Sequence, residues 1–187
     1  MQKRIVITLF CICHRKHPKY KKGDVHKAFP NLLWQNFSID AKNKIWCADF
    51  TYLKLANGLC RYNCSIIDLY DRSVISTVTG KWITRELAIL ALEKGLYSQG
   101  VFPNVINPLI FHTDQGSQFT SESFTNFCKD KHITQSMSKA GCPYDNAPME
   151  RFYNTMKGEL IHRFHFQSDE ELNYAISEYV YNWYNQI

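Results

Sequence analysis

The chain has 187 residues, 45% of them apolar, and 22 Lys and Arg against 17 Asp and Glu, a net charge of +5. That is enough apolar mass to fill a single core, so one compact domain with some extra chain is expected. Seven cysteines scattered from Cys11 to Cys142 do not form the paired framework of a small secreted protein, and no segment reaches the roughly 18 to 20 apolar residues of a membrane span, so a cytoplasmic protein is expected.

Residues 1–37 read as a basic arm and linker, and residues 38–187 as the core. Eight of the 22 cations lie between Lys3 and Lys27, and they form either a solvated tail or an electrostatic hold on phosphate backbones. The apolar run Ile5 to Cys13 follows Lys3-Arg4 as a short leader would. It lacks a small-x-small cleavage site and runs into further cations, so export is not expected. The group Cys11, Cys13, His14 and His17 has ligand residue types at a spacing that matches no zinc pattern.

From Lys44 onward, Ile45 to Leu53, Cys60 to Leu69 and Val74 to Thr79 are β-rich runs separated by Asn57-Gly58 and Asp71-Arg72, which predicts an antiparallel meander. Thr84 caps a helix through Leu96 that ends at Gly100. Leu109 to Thr113 is a fourth strand. A helix from Ser121 or Ser123 to Lys131 and a fifth strand from Ile133 to Ser138 follow. Asp145 or Asn146 caps the next helix, with Pro148 in its first turn. A last helix starts at Ser168 and presents Leu172, Ile176, Tyr179, Val180 and Trp183 as one apolar face. The aromatic-rich end from Tyr174 to Tyr184 reads as packing rather than as a base-stacking platform. This order matches an α/β, ribonuclease-H-like domain with a mixed five-stranded sheet flanked by helices. Periodicity does not reveal which strands are neighbours.

Three carboxylates stand out. Asp49 interrupts an otherwise buried strand, where a charge is costly unless it is neutralised, paired or on a solvated face. Asp114 ends the fourth strand and opens into Gln115-Gly116-Ser117, a place where α/β folds set ligand groups and also where a turn-initiating Asp belongs. Glu150 lies in the first turn of its helix, where the dipole alone favours it. Asn154 and Lys157 follow on the same face. Taken together, three carboxylates from two strands and a helix can hold two hard cations, Mg2+ or Mn2+, for in-line displacement at phosphorus.

The runs Trp46-Cys47-Ala48-Asp49-Phe50-Thr51-Tyr52, His112-Thr113-Asp114-Gln115-Gly116-Ser117-Gln118-Phe119-Thr120-Ser121 and Asn146-Ala147-Pro148-Met149-Glu150 resemble the insertion-sequence-three transposase family and its relatives, the retroviral integrases. The resemblance runs from about residue 31 to residue 187. It implies a retroviral-integrase-type catalytic core in which Asp49, Asp114 and Glu150 are the metal ligands. The family's spacing of 35 residues between the last two is met here. It also implies a metal-dependent polynucleotidyl transferase that cuts and joins DNA, a homo-oligomer, and DNA ends and target as partners. Asp68 and Asp71 fall outside the family's triad, and Asp68 is read as structural.

Lys157, Asn154 and His112 are the expected DNA-contacting residues, with His112 on the Asp114 face by strand alternation and open equally to a packing role. Family members carry a helix-turn-helix region ahead of the core, where this sequence has about 30 unpatterned residues, so a separate or missing helix-turn-helix partner is expected. They also continue past the motif resembling Tyr184-Asn185, where this sequence stops at Ile187. The competing readings are a nuclease of the same fold that never joins strands, and a non-catalytic DNA-binding fragment.

Overall fold

In the computed structural model, residues 29–104, 106 and 108–186 are described. The basic arm from Lys3 to Lys27 and the group around Cys11 to His17 lie outside them. The β-rich runs become strands β1 (Ile45–Lys54), β2 (Cys60–Asp68) and β3 (Val74–Gly80). Short turns make them antiparallel, with Trp46 opposite Asp68 in one ladder and Tyr62 opposite Gly80 in the next. Two further strands, β4 (Leu109–Thr113) and β5 (Ile133–Met137), run parallel to their neighbours, and the sheet order is β3-β2-β1-β4-β5. The longest strand is therefore also the central one.

Parallel neighbours need crossover connections, and helices supply them. The first is α1 (Arg85–Gln99). The Thr84 side chain accepts from the Leu87 N–H at its start, and Gly100, at φ 59°, closes its end in the left-handed region that an L side chain avoids. The single-turn α2 (Ser117–Thr120) and α3 (Glu122–Asp130) connect β4 to β5, with Ser121 capping α3. The α2 turn was not expected, because the Gln115-Gly116-Ser117 turn signal conceals four helical residues. On the far side lie α4 (Ala147–Met156) and α5 (Asp169–Glu178), the latter capped by Ser168.

Strand alternation divides the core in two. Trp46 and Ala48 of β1 and Leu109 and Phe111 of β4 face α1, α2 and α3, where they meet Ala91, Leu92, Phe119 and Phe124. Cys47 and Leu53 of β1 face the opposite way and meet Met149, Phe152 and Met156 of α4 and Leu172 and Ile176 of α5. The result is a three-layer α/β/α sandwich, the expected fold class. The five described cysteines are free, and no described helix is long and apolar enough to cross a membrane.

Two expectations change. Asn146 occupies the N-cap position of α4, but no side chain caps that helix; the Asp145 carboxylate is used elsewhere. Asp145 accepts from Asn31 Nδ2 at 2.9 Å, Gln35 Nε2 at 2.8 Å and the Lys139 N–H at 2.9 Å. Residues 29–37 are seated on the core, with Leu33 buried and the Met137 N–H donating to Pro30 O at 3.2 Å. Finally, Trp183 leaves the apolar face of the last helix and is 59% exposed. From Tyr179 to Trp183 the helix widens into a π turn, so the step of 100° per residue that put Trp183 on that face no longer applies.

Candidate active site

The site follows from strand parity and register. In β1, Cys47 and Asp49 point toward α4, and in β4, Ile110 and His112 do so, with Asp114 next in the series. Cys47 is registered with His112, the last pair of the parallel β1–β4 ladder. Asp49 and Asp114 each come two residues later, on the same face. Across from them, α4 brings Glu150 in its first turn. Asp49, Asp114, Glu150, Asn154 and Lys157 line one cleft of about 660 Å³, together with the segment Ser138 to Cys142 and Asn146.

Each aspartate is held by local backbone. Asp49 Oδ1 accepts from the Phe50 N–H at 2.7 Å, and Asp114 Oδ1 accepts from the Gly116 N–H at 2.9 Å. A Cβ at Gly116 would crowd the Gln118 amide and stand 2.9 Å from Asp114 Oδ1, so a larger residue there would have to displace both side chains. Behind Asp49 stands Tyr153 of α4. Its hydroxyl donates to Asp49 O at 2.6 Å and accepts from the Ser65 N–H at 3.0 Å. Asp49 and Ser65 are registered partners in the β1–β2 ladder, so the phenol bridges the two strands and ties α4 to both.

The electrostatics are those of an anionic pair taken partly out of water. Burial, and then the charge of Asp114, push the Asp49 carboxyl up to about 7, while the Phe50 N–H and Lys157 act against them. Asp114 is raised by burial, against the hydrogen bond from Gly116. Burial lowers Lys157, and attraction to Asp49 opposes that. Its ammonium sits over the Tyr52 ring, 4.7 Å from the centroid.

An all-oxygen, anionic donor set of this kind suits a hard divalent cation, and a cation would relieve the repulsion that raises Asp49. Among the described residues, no group of three or more His, Cys, Asp and Glu side chains stands close enough to hold one ion. Asp49, Asp114 and Glu150 line the same cleft, and the charges of Asp114 and Glu150 both act to raise Asp49.

His112 lies beneath the surface, in the packing and hydrogen-bonding position left open to it. It is fully buried, with Nδ1 2.8 Å from Ser136 Oγ, and Nε2 3.0 Å from Asp145 O and 3.2 Å from Ser138 Oγ. Alternation put it on the Asp114 face, but β4 lies inside the sheet with β5 beside it and the Asp145 turn above it, so that face is covered at His112 and open only at Asp114. Asp68 is buried and accepts from the backbone N–H groups of Asn43 at 2.7 Å and Tyr70 at 2.9 Å, a loop-holding role. Sequence reasoning passed over Tyr153 and Asn146. Asn146 precedes α4 and reads as a cap, Tyr153 lies within α4 and reads as core, and only their partners far away in the sequence single them out.

Comparison with known proteins agrees with this geometry. One integrase core domain model matches residues 40–143, and a second model of the same description matches residues 131–187. The chain is 34% identical to the transposase for insertion sequence element IS904 of Lactococcus lactis, over 91% of this chain and 65% of that protein. It is 36% identical to transposase InsF for insertion sequence IS3A of Escherichia coli K12, over 83% of this chain and 52% of that protein. It thus spans between about half and two thirds of these relatives. The fold is shared with the HTLV-2 integrase catalytic core domain in complex with magnesium, at TM-score 0.60 and 24% identity over 75% of this chain and 86% of that one. It is also shared with the Mos1 transposase catalytic domain with raltegravir and magnesium, at TM-score 0.60 and 15% identity over 74% of this chain and 71% of that one.

Proposed function

The chain belongs to the integrase core domain family, and on that footing we propose that it is the catalytic core of an insertion-sequence transposase, with Asp49, Asp114 and Glu150 as its metal-holding carboxylates. The observation that carries the proposal is the meeting of these three side chains, from a central strand, a strand end and a helix, on one cleft. Relatives named as transposases of insertion sequences support the substrate class.

In the first step a water attacks the phosphodiester at a transposon end, an O–P bond forms, and the P–O3′ bond breaks to leave a 3′-hydroxyl. In the second step that hydroxyl attacks a target phosphodiester, and the target's own P–O3′ bond breaks. Neither step forms a bond to the protein, so positioning and charge neutralisation do the work. Asp49 and Asp114 would hold one divalent cation between them, and Glu150 would hold a second from the α4 side. Magnesium or manganese there supplies neutralisation of the phosphate and of the attacking and leaving oxygens. Lys157, whose ammonium sits over the Tyr52 ring, grips a phosphate oxygen, and Asn154 donates beside it.

The cations lining the cleft, Lys139 and Lys157, suit phosphate rather than base edges. Reading of the terminal sequences therefore falls to a helix-turn-helix element, carried by a partner or by chain outside the described residues. The test is a strand-transfer assay with labelled end DNA and a plasmid target in magnesium. Joined product supports the transposase reading, cut product alone makes the protein a nuclease of the same fold, and neither product removes the catalytic reading.

A further inference from the structure

Among the described residues, the cleft contains one buried polar side-chain atom without a hydrogen-bond partner, Asn146 Oδ1. The residue is 8% exposed. Its orientation is set by chemistry, because Ala48 O can only accept; the end that faces it at 3.4 Å must be Nδ2, which leaves Oδ1 as the free end. A buried acceptor without a donor costs stability, so its presence in a functional cleft calls for an explanation.

The missing donor has to come from whatever enters the cleft. A phosphodiester offers acceptors only, so the DNA backbone cannot satisfy Oδ1. A divalent cation can, either directly or through a water of its shell. Position favours this answer. The amide is hydrogen-bonded to Ala48, the residue before Asp49, and it lies four residues before Glu150 on the approach to α4. It therefore sits between the strand that carries one carboxylate and the helix that carries another.

We propose that Asn146 Oδ1 is an additional oxygen ligand, direct or through one water, of the divalent cation held by Asp49 and Asp114. The inference rests on the reading of this cleft as a metal centre. It makes Asn146 part of the ion's coordination rather than a helix cap.

The test is a Mn2+ titration of the whole chain without DNA, read from the electron paramagnetic resonance signal of free Mn2+, for the native protein and for Asn146→Ala, Asn146→Asp and Asp49→Asn. Thermal melting in chelator runs alongside it. Asn146→Ala should weaken Mn2+ binding by about 10- to 100-fold, the range seen when a partner of metal ligands is removed. Asn146→Asp keeps an acceptor oxygen and gives up the amide donor, so it should bind Mn2+ at least as tightly as the native protein. Native affinity in Asn146→Ala overturns the inference. Equal weakening in the Ala and Asp variants also overturns it, since the bond to Ala48 would then be what matters. If Asn146→Ala does not fold, Asn146→Asp decides alone, and weakened binding refutes the proposal. If Asp49→Asn binds Mn2+ as the native protein does, the metal reading of the whole cleft fails, and this inference with it.

Discussion

The hydroxyl of Tyr153 donates to the carbonyl oxygen of Asp49 at 2.6 Å, so the helix that carries Glu150 is fastened to the strand position that carries the first aspartate. Tyr153→Phe would leave Asp49 O and the Ser65 N–H without their bridge. Leaving buried backbone groups unpaired costs about 1–3 kcal/mol, and chemical denaturation should show a loss of that size. Because the bridge ties the helix of Glu150 to the strand of Asp49, strand joining should fall more than DNA binding does. Native stability in the Phe variant would show that the two strands close the gap by themselves.

Asp49→Asn, Asp114→Asn and Glu150→Gln should each abolish cutting and joining while circular dichroism and DNA affinity stay close to native. Each change keeps the side-chain shape and removes a charge proposed to hold a cation. Near-normal turnover in magnesium by any one of the three would remove that residue from the site.

Activity should appear in magnesium or manganese and vanish in chelator. Calcium should support DNA binding with little chemistry, because its looser shell of about 6 to 8 oxygens misplaces the reacting groups. Gel-based cutting and joining assays across the three ions check this, and full activity in chelator would end the metal mechanism.

Asp145 anchors the segment that precedes β1, and the Lys139 N–H and the Gln35 and Asn31 amides hold its carboxyl below the usual carboxylate range. A depressed carboxylate adds stability that is present above its unfolded pKa of about 3.9 and is lost as pH falls through the folded value. Asp145→Asn should therefore lower the melting temperature by a constant amount above about pH 5, and the gap should close in stronger acid. A gap that persists unchanged at the lowest pH would mean that the anchor does not depend on charge.

DNA binding by the chain alone should fall steeply with salt and show little preference for transposon ends, because lysines in the cleft meet phosphate. A competition titration of end DNA against a scrambled duplex at two salt concentrations measures both. A preference above about a thousandfold, the range of a specific binder, would mean that the core reads sequence itself.

The strands were legible because Ile45 to Leu53, Cys60 to Leu69 and Leu109 to Thr113 are runs of β-formers between clear turn residues. Their order was not, since nothing in the periodicity of β1 says that β4, some 65 residues on, will lie against it. The motifs around Asp49, Asp114 and Glu150 marked candidate ligands, and strand parity explains why the first two share a face. The sequence left His112 between a DNA contact and a packing role, because alternation names a face but cannot tell whether that face is covered, as it is at His112. Tyr153 and Asn146 were missed because a Tyr within a helix reads as core and an Asn before one reads as a cap. The bonds that single them out run to Asp49 and Ala48, about a hundred residues away in the chain.

The central position of β1 also sets an order of assembly. The β1–β2–β3 meander is built from near neighbours and can form on the microsecond scale of hairpins, which sets Asp49 early in an ordered strand. Pairing β1 with β4 requires closure of a far longer loop, whose entropy must be overcome before its contacts return anything. Asp114 and Glu150 reach Asp49 only after that closure. On this ordering the strand that carries the first carboxylate forms before the cleft does, and the cleft is complete only once β4 and α4 have closed onto β1.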